Sequence, residues 1–413
     1  MGWVVPIHRR SRIVSIAVVT ILALSSLSLG IAVAHPARAN PTFGPVSVSR
    51  VDSFDRLSPA AQSIPVGDSP EGVAFDSSNE YVYVANAGSD SVTVINGTTD
   101  TVVGSVPVGS LPDGVGFDSS NHHVYADNAG SDNVSVINGA TDTVVGSVPV
   151  GSGPRVVAFD SLNEYVYVTN HYSNNVTVIN GTTDAVVGSV PVGSLPDGIA
   201  FDNANQYVYV ADEGSNNVTV INGTTDTVVG SVPVGSAPRL VAFDSSNGYV
   251  YVANTGSNNV TVIDGTTDTV VGSVTVGRFP QGVAFDSLNQ YVYVSDRDSN
   301  KVTVIDGTTD KVIGSVRVGK HPDGIAFDSS NGYVYVANHL SNSVSVINGK
   351  TDQAIAAVSV SSNPMGIILD SSNTGMVIGQ AHPLTFNGER PLSVEAASFT
   401  VAKFGKASRA IVF

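Results

Sequence analysis

The chain contains no cysteine, which excludes a disulfide framework, a thiolate metal site and cysteine catalysis. It is also poor in charge: 13% of residues are charged, with 19 Lys and Arg against 35 Asp and Glu and a formal net charge of −16. No basic stripe offsets that balance, so a nucleic-acid partner would have to overcome repulsion from phosphates. No segment shows apolar residues at a 3.6-residue period, which excludes helical solenoids. Gly-x-Ser-x-Gly elbows, P-loops and dinucleotide fingerprints are missing as well. A haem-attachment motif needs cysteine, and eight histidines are too few and too scattered for a multi-copper site, so no cofactor is expected. What is abundant is Val, Thr, Tyr and Ile, which favour strands, and 41 Gly with Asn, Asp and Ser, which supply turns.

The N-terminus reads as an export signal. Arg9, Arg10 and Arg12 precede an uncharged apolar stretch from Ile13 to Ala34, and Ala37-Arg38-Ala39 gives a small-x-small cleavage pattern. Residues 1–39 are therefore a signal peptide, or a retained anchor, since the stretch is long enough to span a bilayer. Either way the rest is expected outside the cytoplasm: extracellular, at the cell surface, or periplasmic in a Gram-negative bacterium.

From Pro70 onward one segment recurs. Pro70, Pro112, Pro154, Pro196, Pro238, Pro280, Pro322 and Pro364 stand 42 residues apart. Each begins Pro-x-Gly-Val-Ala-Phe-Asp or a close variant. Turn residues follow (Asp76-Ser77-Ser78-Asn79), then β-prone Tyr81-Val82-Tyr83-Val84, a loop, alternating Ser91-Val92-Thr93-Val94-Ile95, an Asn96-Gly97 turn and a last strand ending at Pro107-Val108. Four short antiparallel strands in such a period match a β-propeller blade. Full repeats cover 70–111, 112–153, 154–195, 196–237, 238–279, 280–321 and 322–363. An eighth blade is expected from 46–67 plus 364–380, with 46–51 and 375–380 as its middle strands. Eight blades are favoured and seven is the alternative. Residues 381–413 are left as a C-terminal extension.

Tyr167-Val168-Thr169-Asn170, the Pro-x-Gly-(Val/Ile)-Ala-Phe-Asp segment and the Ile-(Asn/Asp)-Gly-Thr-Thr-Asp turn resemble the YVTN β-propeller repeat family over about residues 62–380. The resemblance implies a propeller typical of archaeal surface-layer and bacterial secreted proteins, with no single activity.

Strands named A to D from the axis outward place the D–A and B–C loops on one face, here the top, and the A–B and C–D loops on the bottom. The bottom loops barely change between repeats. Asp76, Asp118, Asp160, Asp202, Asp244, Asp286 and Asp328 read as turn caps there. The top varies. The residue after each proline is Glu71, Asp113, Arg155, Asp197, Arg239, Gln281, Asp323 and Met365, and the B–C loops open on His171, Glu213, Arg297 and His339, with Phe279 and His321 in the D–A loops. These residues form the candidate binding face, because loops on a rigid scaffold usually bind.

The main expectation is a non-enzymatic structural or interaction module that binds a cell-envelope protein or glycan. The alternative is a lactonase- or lyase-like enzyme using Glu71, Asp113, Asp197, Asp323 and His321 as acids and bases. His321, Asp323 and His339 share one blade and are the weak candidates for a metal; no metal is expected. Asn96, Asn133, Asn175, Asn180, Asn217, Asn222 and Asn259 are Asn-x-Ser/Thr glycosylation acceptors.

Overall fold

Each repeat folds into one four-stranded antiparallel sheet in the chain order A-B-C-D. In the first repeat strand A is Pro70–Asp76, B is Tyr81–Asn86, C is Ser91–Asn96 and D is Thr101–Pro107. The computed structural model describes residues 62–97, 99, 101–329, 331–359, 364–370, 398–404 and 408–412, all within the unit Phe54–Phe413. The expected signal segment and residues 46–51, 375–380 and 381 lie outside the described residues.

Burial follows the order of the strands. Strand B, Tyr-Val-Tyr-Val-Ala-Asn, is buried along almost its whole length, as a strand covered on both faces must be. Strand D exposes its Thr-Val-Val start and buries Val106 alone. The core lies in the seams between blades: Tyr83, Val92 and Val94 of the first blade pack with Val115, Val124 and Ile137 of the second. The fourth and fifth blades meet through Tyr209, Val218, Val220, Val250 and Ile263 in the same way.

Polar ties cross the same seams. On the bottom, the Tyr167 hydroxyl donates to Asp226 Oδ1 at 3.0 Å, and Asn163 donates to the Gly223 carbonyl at 2.8 Å, both in the next blade. The recurring aspartates make Asx turns, Asp76 Oδ1 accepting the Ser78 N–H at 2.8 Å and Asp202 Oδ1 that of Ala204 at 2.8 Å. On top, the residue before each of the seven prolines from Pro70 to Pro322 is left-handed, as at Leu111 (φ 51°) and His321 (φ 51°). A side chain in that region costs about 1 kcal/mol or more. The loop of the preceding blade holds it there, Asp90 Oδ1 accepting the Leu111 N–H at 2.8 Å and Asn300 Oδ1 that of His321 at 2.9 Å.

The ends correct two expectations. Gln62–Pro65, Ser398–Phe404, Ser408–Val412 and Ile367–Asp370 form a further four-stranded sheet, in that order. Its inner and outer strands are those expected from the repeat pattern. Its middle strands, expected from 46–51 and 375–380, come instead from Ser398–Phe404 and Ser408–Val412, so these residues left over from the repeats add strands to the fold. Ile64 joins the core of the first blade and Ile367 that of the seventh. The architecture is an all-β propeller of seven four-stranded repeat blades, the alternative count, with a composite sheet of both chain ends; the expected eighth blade does not form from 46–67 and 364–380 alone.

Candidate functional site

Strand A sits innermost, and its pairing with B is irregular at the top. Pro112 pairs with Asn128 and the next partners are Val115 and Ala126. This bulge leaves the residue after the proline outside the ladder, which is how the variable column comes to line the axis. Neighbouring A strands approach closely there. A Cβ on Gly114 would lie 2.6 Å from Asp127 Oδ2 and 2.8 Å from the Arg155 carbonyl, so a side chain there would collide with the next blade.

The column is not the exposed face that loop variation suggests. Glu71, Asp113, Arg155, Asp197, Arg239, Gln281 and Asp323 are all buried, at 0–9% exposure. Over the third to sixth blades they form one chain of contacts. Arg155 Nη1 lies 3.6 Å and Arg239 Nε 3.1 Å from the same oxygen of Asp197, and Arg239 Nη1 donates to Gln281 Oε1 at 2.7 Å. Burial would raise the Asp197 pKa, but Arg155 and Arg239 outweigh it and hold the carboxyl below its ordinary range. His171 lies against Arg155, with Nδ1 3.2 Å from the Pro196 carbonyl oxygen. Burial and then the Arg155 charge lower its pKa, so it is neutral at pH 7.

The other half of the mouth is acidic. Burial pushes Asp113 up to about 7 against the pull of Arg155. Asp323 is raised by burial although Arg297, Arg239 and His321 oppose it. Beside Asp113 stands Asp127, fully buried and raised well above its ordinary value by burial and by the Asp113 charge. The Gly114 N–H donates to Asp127 Oδ1 at 3.0 Å. Sequence reading passed over Asp127, although the repeats carried the signal: its counterparts are Ala85, Thr169, Ala211, Ala253, Ser295 and Ala337. Where that position is polar it accepts the bulge N–H, as Thr169 Oγ1 does from Val156 at 3.2 Å and Ser295 Oγ from Gly282 at 2.8 Å.

The remaining candidates lie further out. Arg297 and His339 open short 3₁₀ turns, Arg297–Ser299 and His339–Ser341. The Arg297 guanidinium lies 5.9 Å from the centre of the Phe279 ring, and Tyr172 meets His171 edge-on at 5.1 Å. Glu213 is raised by burial, with Arg239 opposing. Among the described residues no three His, Asp or Glu side chains are grouped to hold a metal, so His321, Asp323 and His339 do not converge. A surface depression of about 490 Å³ lies elsewhere, beside the outer strand of the first blade, lined by Pro65, Gly67, Ser89, Ser105 and Pro107 among others.

A family model described as Lactonase, 7-bladed beta-propeller matches residues 44–271, and one described as Cytochrome D1 heme domain matches 243–377. No curated protein matches. Among solved structures, hydrazine synthase of Kuenenia stuttgartiensis is 21% identical with a TM-score of 0.57, over 68% of this chain and 96% of its own. Dihydro-heme d1 dehydrogenase NirN is 16% identical with a TM-score of 0.61, over 70% of this chain and 66% of its own. A functionally unknown protein from Desulfotomaculum acetoxidans is 13% identical with a TM-score of 0.56, over 67% of this chain and 95% of its own. At these identities the likeness is one of fold.

Proposed function

The chain belongs to the family described as Lactonase, 7-bladed beta-propeller, and from that premise we propose that it acts as an exported propeller whose D–A and B–C loop face binds a protein or glycan of the cell envelope. Membership fixes the scaffold, and the site on it decides the activity. The observation that carries the reading is the contact chain Arg155–Asp197–Arg239–Gln281 across the mouth. A hydrolase needs substrate-sized space beside its carboxylates, and here Asp197 is engaged by two arginines. The loops around the mouth present Tyr172, Leu340 and Phe279 at 56, 51 and 38% exposure, with Arg297 against Phe279. Aromatic and arginine groups of this kind anchor protein interfaces. The test is retention of envelope fractions on the immobilised full chain. Y172A, F279A and R297A together should cut retention at least tenfold, with the fold verified by circular dichroism. Unchanged retention would remove the reading.

A second reading, hydrolysis of lactones or esters, is favoured by Asp113 and Asp127, two adjacent carboxyls of which one is pushed up to about 7. Carboxyls shifted in this way can serve as general acid and base. Turnover of a lactone panel that is lost in D113N, with the fold intact, would put this reading in place of the first.

The haem-domain likeness does not carry over to the axis. A haem needs an open, largely apolar cleft with an axial ligand. Here Arg155 and Arg239 occupy the mouth in ion pairs, and His171 is turned to the Pro196 carbonyl.

A further inference from the structure

Outer strands are the free edges of propeller blades, and here six of the seven repeat blades leave them uncharged: Thr101–Pro107, Thr143–Pro149, Ala185–Pro191, Thr227–Pro233, Thr269–Thr275 and Gln353–Ser359 carry no acidic or basic residue. The sixth blade departs. Its outer strand, Lys311–Arg317, has an exposed base at each end, with Val312 and Ile313 exposed between them at 46% each. Lys301 pairs directly with Arg317 in the strand register, where the second blade pairs Asn133 with Pro149. Like charges set opposite each other on a sheet are unfavourable; Lys301 is offset by Asp296, opposite it on strand B, but Arg317 is paired only with Lys301 in the register. Lys320 follows, exposed in the next loop. Lys311 stands opposite Asp306 in the register, yet among the described residues none of these four bases is in an ion pair; the three ion pairs present involve Asp184 and Asp197.

The second blade has the complementary edge. It contains no lysine or arginine at all. Val144 and Val145 are exposed on its outer strand at 42 and 54%. Asp142 immediately precedes that strand at the bottom. Asp132, exposed, adjoins it at the top, its carbonyl accepting the Val150 N–H at 3.1 Å. The first blade, which likewise has no lysine or arginine, has Asp90 in the place of Asp132, whereas the third to seventh have Asn174, Asn216, Asn258, Asn300 and Asn342.

We propose that the outer edge of the sixth blade docks on the acidic outer edge formed by the first two blades of another copy of this chain, at Asp132 or its counterpart Asp90. With both tops facing the same way, Arg317 and Lys320 meet Asp132 or Asp90, each of which already accepts one N–H, from Gly153 or Leu111. Lys311 lies toward the half-buried Asp142, which accepts from the Tyr83 hydroxyl at 2.9 Å, and the paired aliphatic side chains stack between. The two patches differ, so the contact is heterologous and each copy keeps one free edge of each sign. Copies therefore add into rows. The net charge of −16 opposes any association that does not place bases against acids.

The test uses the full chain in sedimentation velocity. Wild type should form concentration-dependent oligomers in 50 mM salt, and 500 mM salt should weaken the association at least tenfold because both patches are exposed. K311Q/R317Q and D90N/D132N should each be monomeric with unchanged circular dichroism, the asparagines keeping the acceptor oxygen that other blades use there. Mixed together they should associate with each other but form no rows, since each variant retains only one kind of edge. A wild type that stays monomeric, or oligomers indifferent to these substitutions, would overturn the proposal. So would a monomeric wild type retained by a polyanion column through Lys311 and Arg317, because the edge would then serve an anionic polymer.

Discussion

The Tyr209 hydroxyl donates to Asp268 Oδ1 at 2.9 Å, across the seam into the next blade. It also lies 3.1 Å from the Gly265 carbonyl oxygen. The same pair recurs 42 residues later, where Tyr251 donates to Asp310 at 2.8 Å. Each ring is fully buried, so its hydroxyl has no water to turn to, and burial raises its pKa strongly.

Tyr209→Phe should therefore destabilise the propeller while leaving its core volume intact. A hydrogen bond to a charged acceptor contributes about 1.5–3 kcal/mol, and the partial exposure of Asp268 places the loss near 1 kcal/mol. Urea denaturation of the variant should show a lower midpoint with an unchanged slope. An equal midpoint would show that the seam is held by apolar packing alone.

Asp212 offers an opposite case. It ends strand B where five other blades have Asn86, Asn128, Asn170, Asn254 and Asn338. Thr219 donates to its Oδ2 at 2.7 Å, whereas Asn254 donates to Thr261 at 2.9 Å. Burial pushes Asp212 up to about 7. A carboxyl with a raised pKa in the folded state contributes fully below the ordinary carboxylate range and loses that contribution as pH rises through about 7. Asp212→Asn should thus stabilise by about 2 kcal/mol at pH 8 and by nothing at pH 4. Thermal melts at the two pH values measure this directly.

Asp197 runs the other way. Its pKa is held low, so its contribution is present above the ordinary carboxylate pKa and is lost as pH falls through the lowered value. Asp197→Asn leaves Arg155 and Arg239 buried beside a neutral amide. Removing one partner of a buried ion pair costs about 3–5 kcal/mol. A chemical-denaturation loss below about 1 kcal/mol would mean that water already screens the mouth.

Asp113 and Asp127 should titrate as a pair. Carbon-detected NMR of the side-chain carboxyls should show both groups titrating above the ordinary carboxylate range, Asp113 near pH 7, and Asp127→Asn should leave the single Asp113 step. Stability contributed by the pair should fall as pH rises through 7, since both folded values are raised.

The repeat made most of the fold legible. Prolines 42 residues apart marked where every strand A begins, and Asn-Gly turns placed the C–D hairpins. Residues 398–412 gave no such signal. They have neither the proline nor the turn sequence, and their pairing is dictated by the edges that the first and last repeats leave open. The axial column was legible as a pattern of charge but not as a buried one. Whether Asp113 or Arg239 faces water depends on how closely the inner strands approach, and that is set by Gly72, Gly114 and Gly198 as much as by the charged residues themselves. Asp127 was missed because strand B looked uniform, although one acid among alanines was its sign.

The sheet assembled from both chain ends also sets a schedule. Gln62–Pro65 leaves the ribosome about 345 residues before Ser408–Val412, the strand that completes its sheet. Each repeat can fold against its predecessor as it emerges, but the first blade keeps one flank uncovered until the last strand is synthesised. Ile64 and the outer flank of Val73 and Val82 are then the surface that a holding chaperone would grip longest. A ribosome stalled anywhere before residue 408 would present an open arc with adhesive ends.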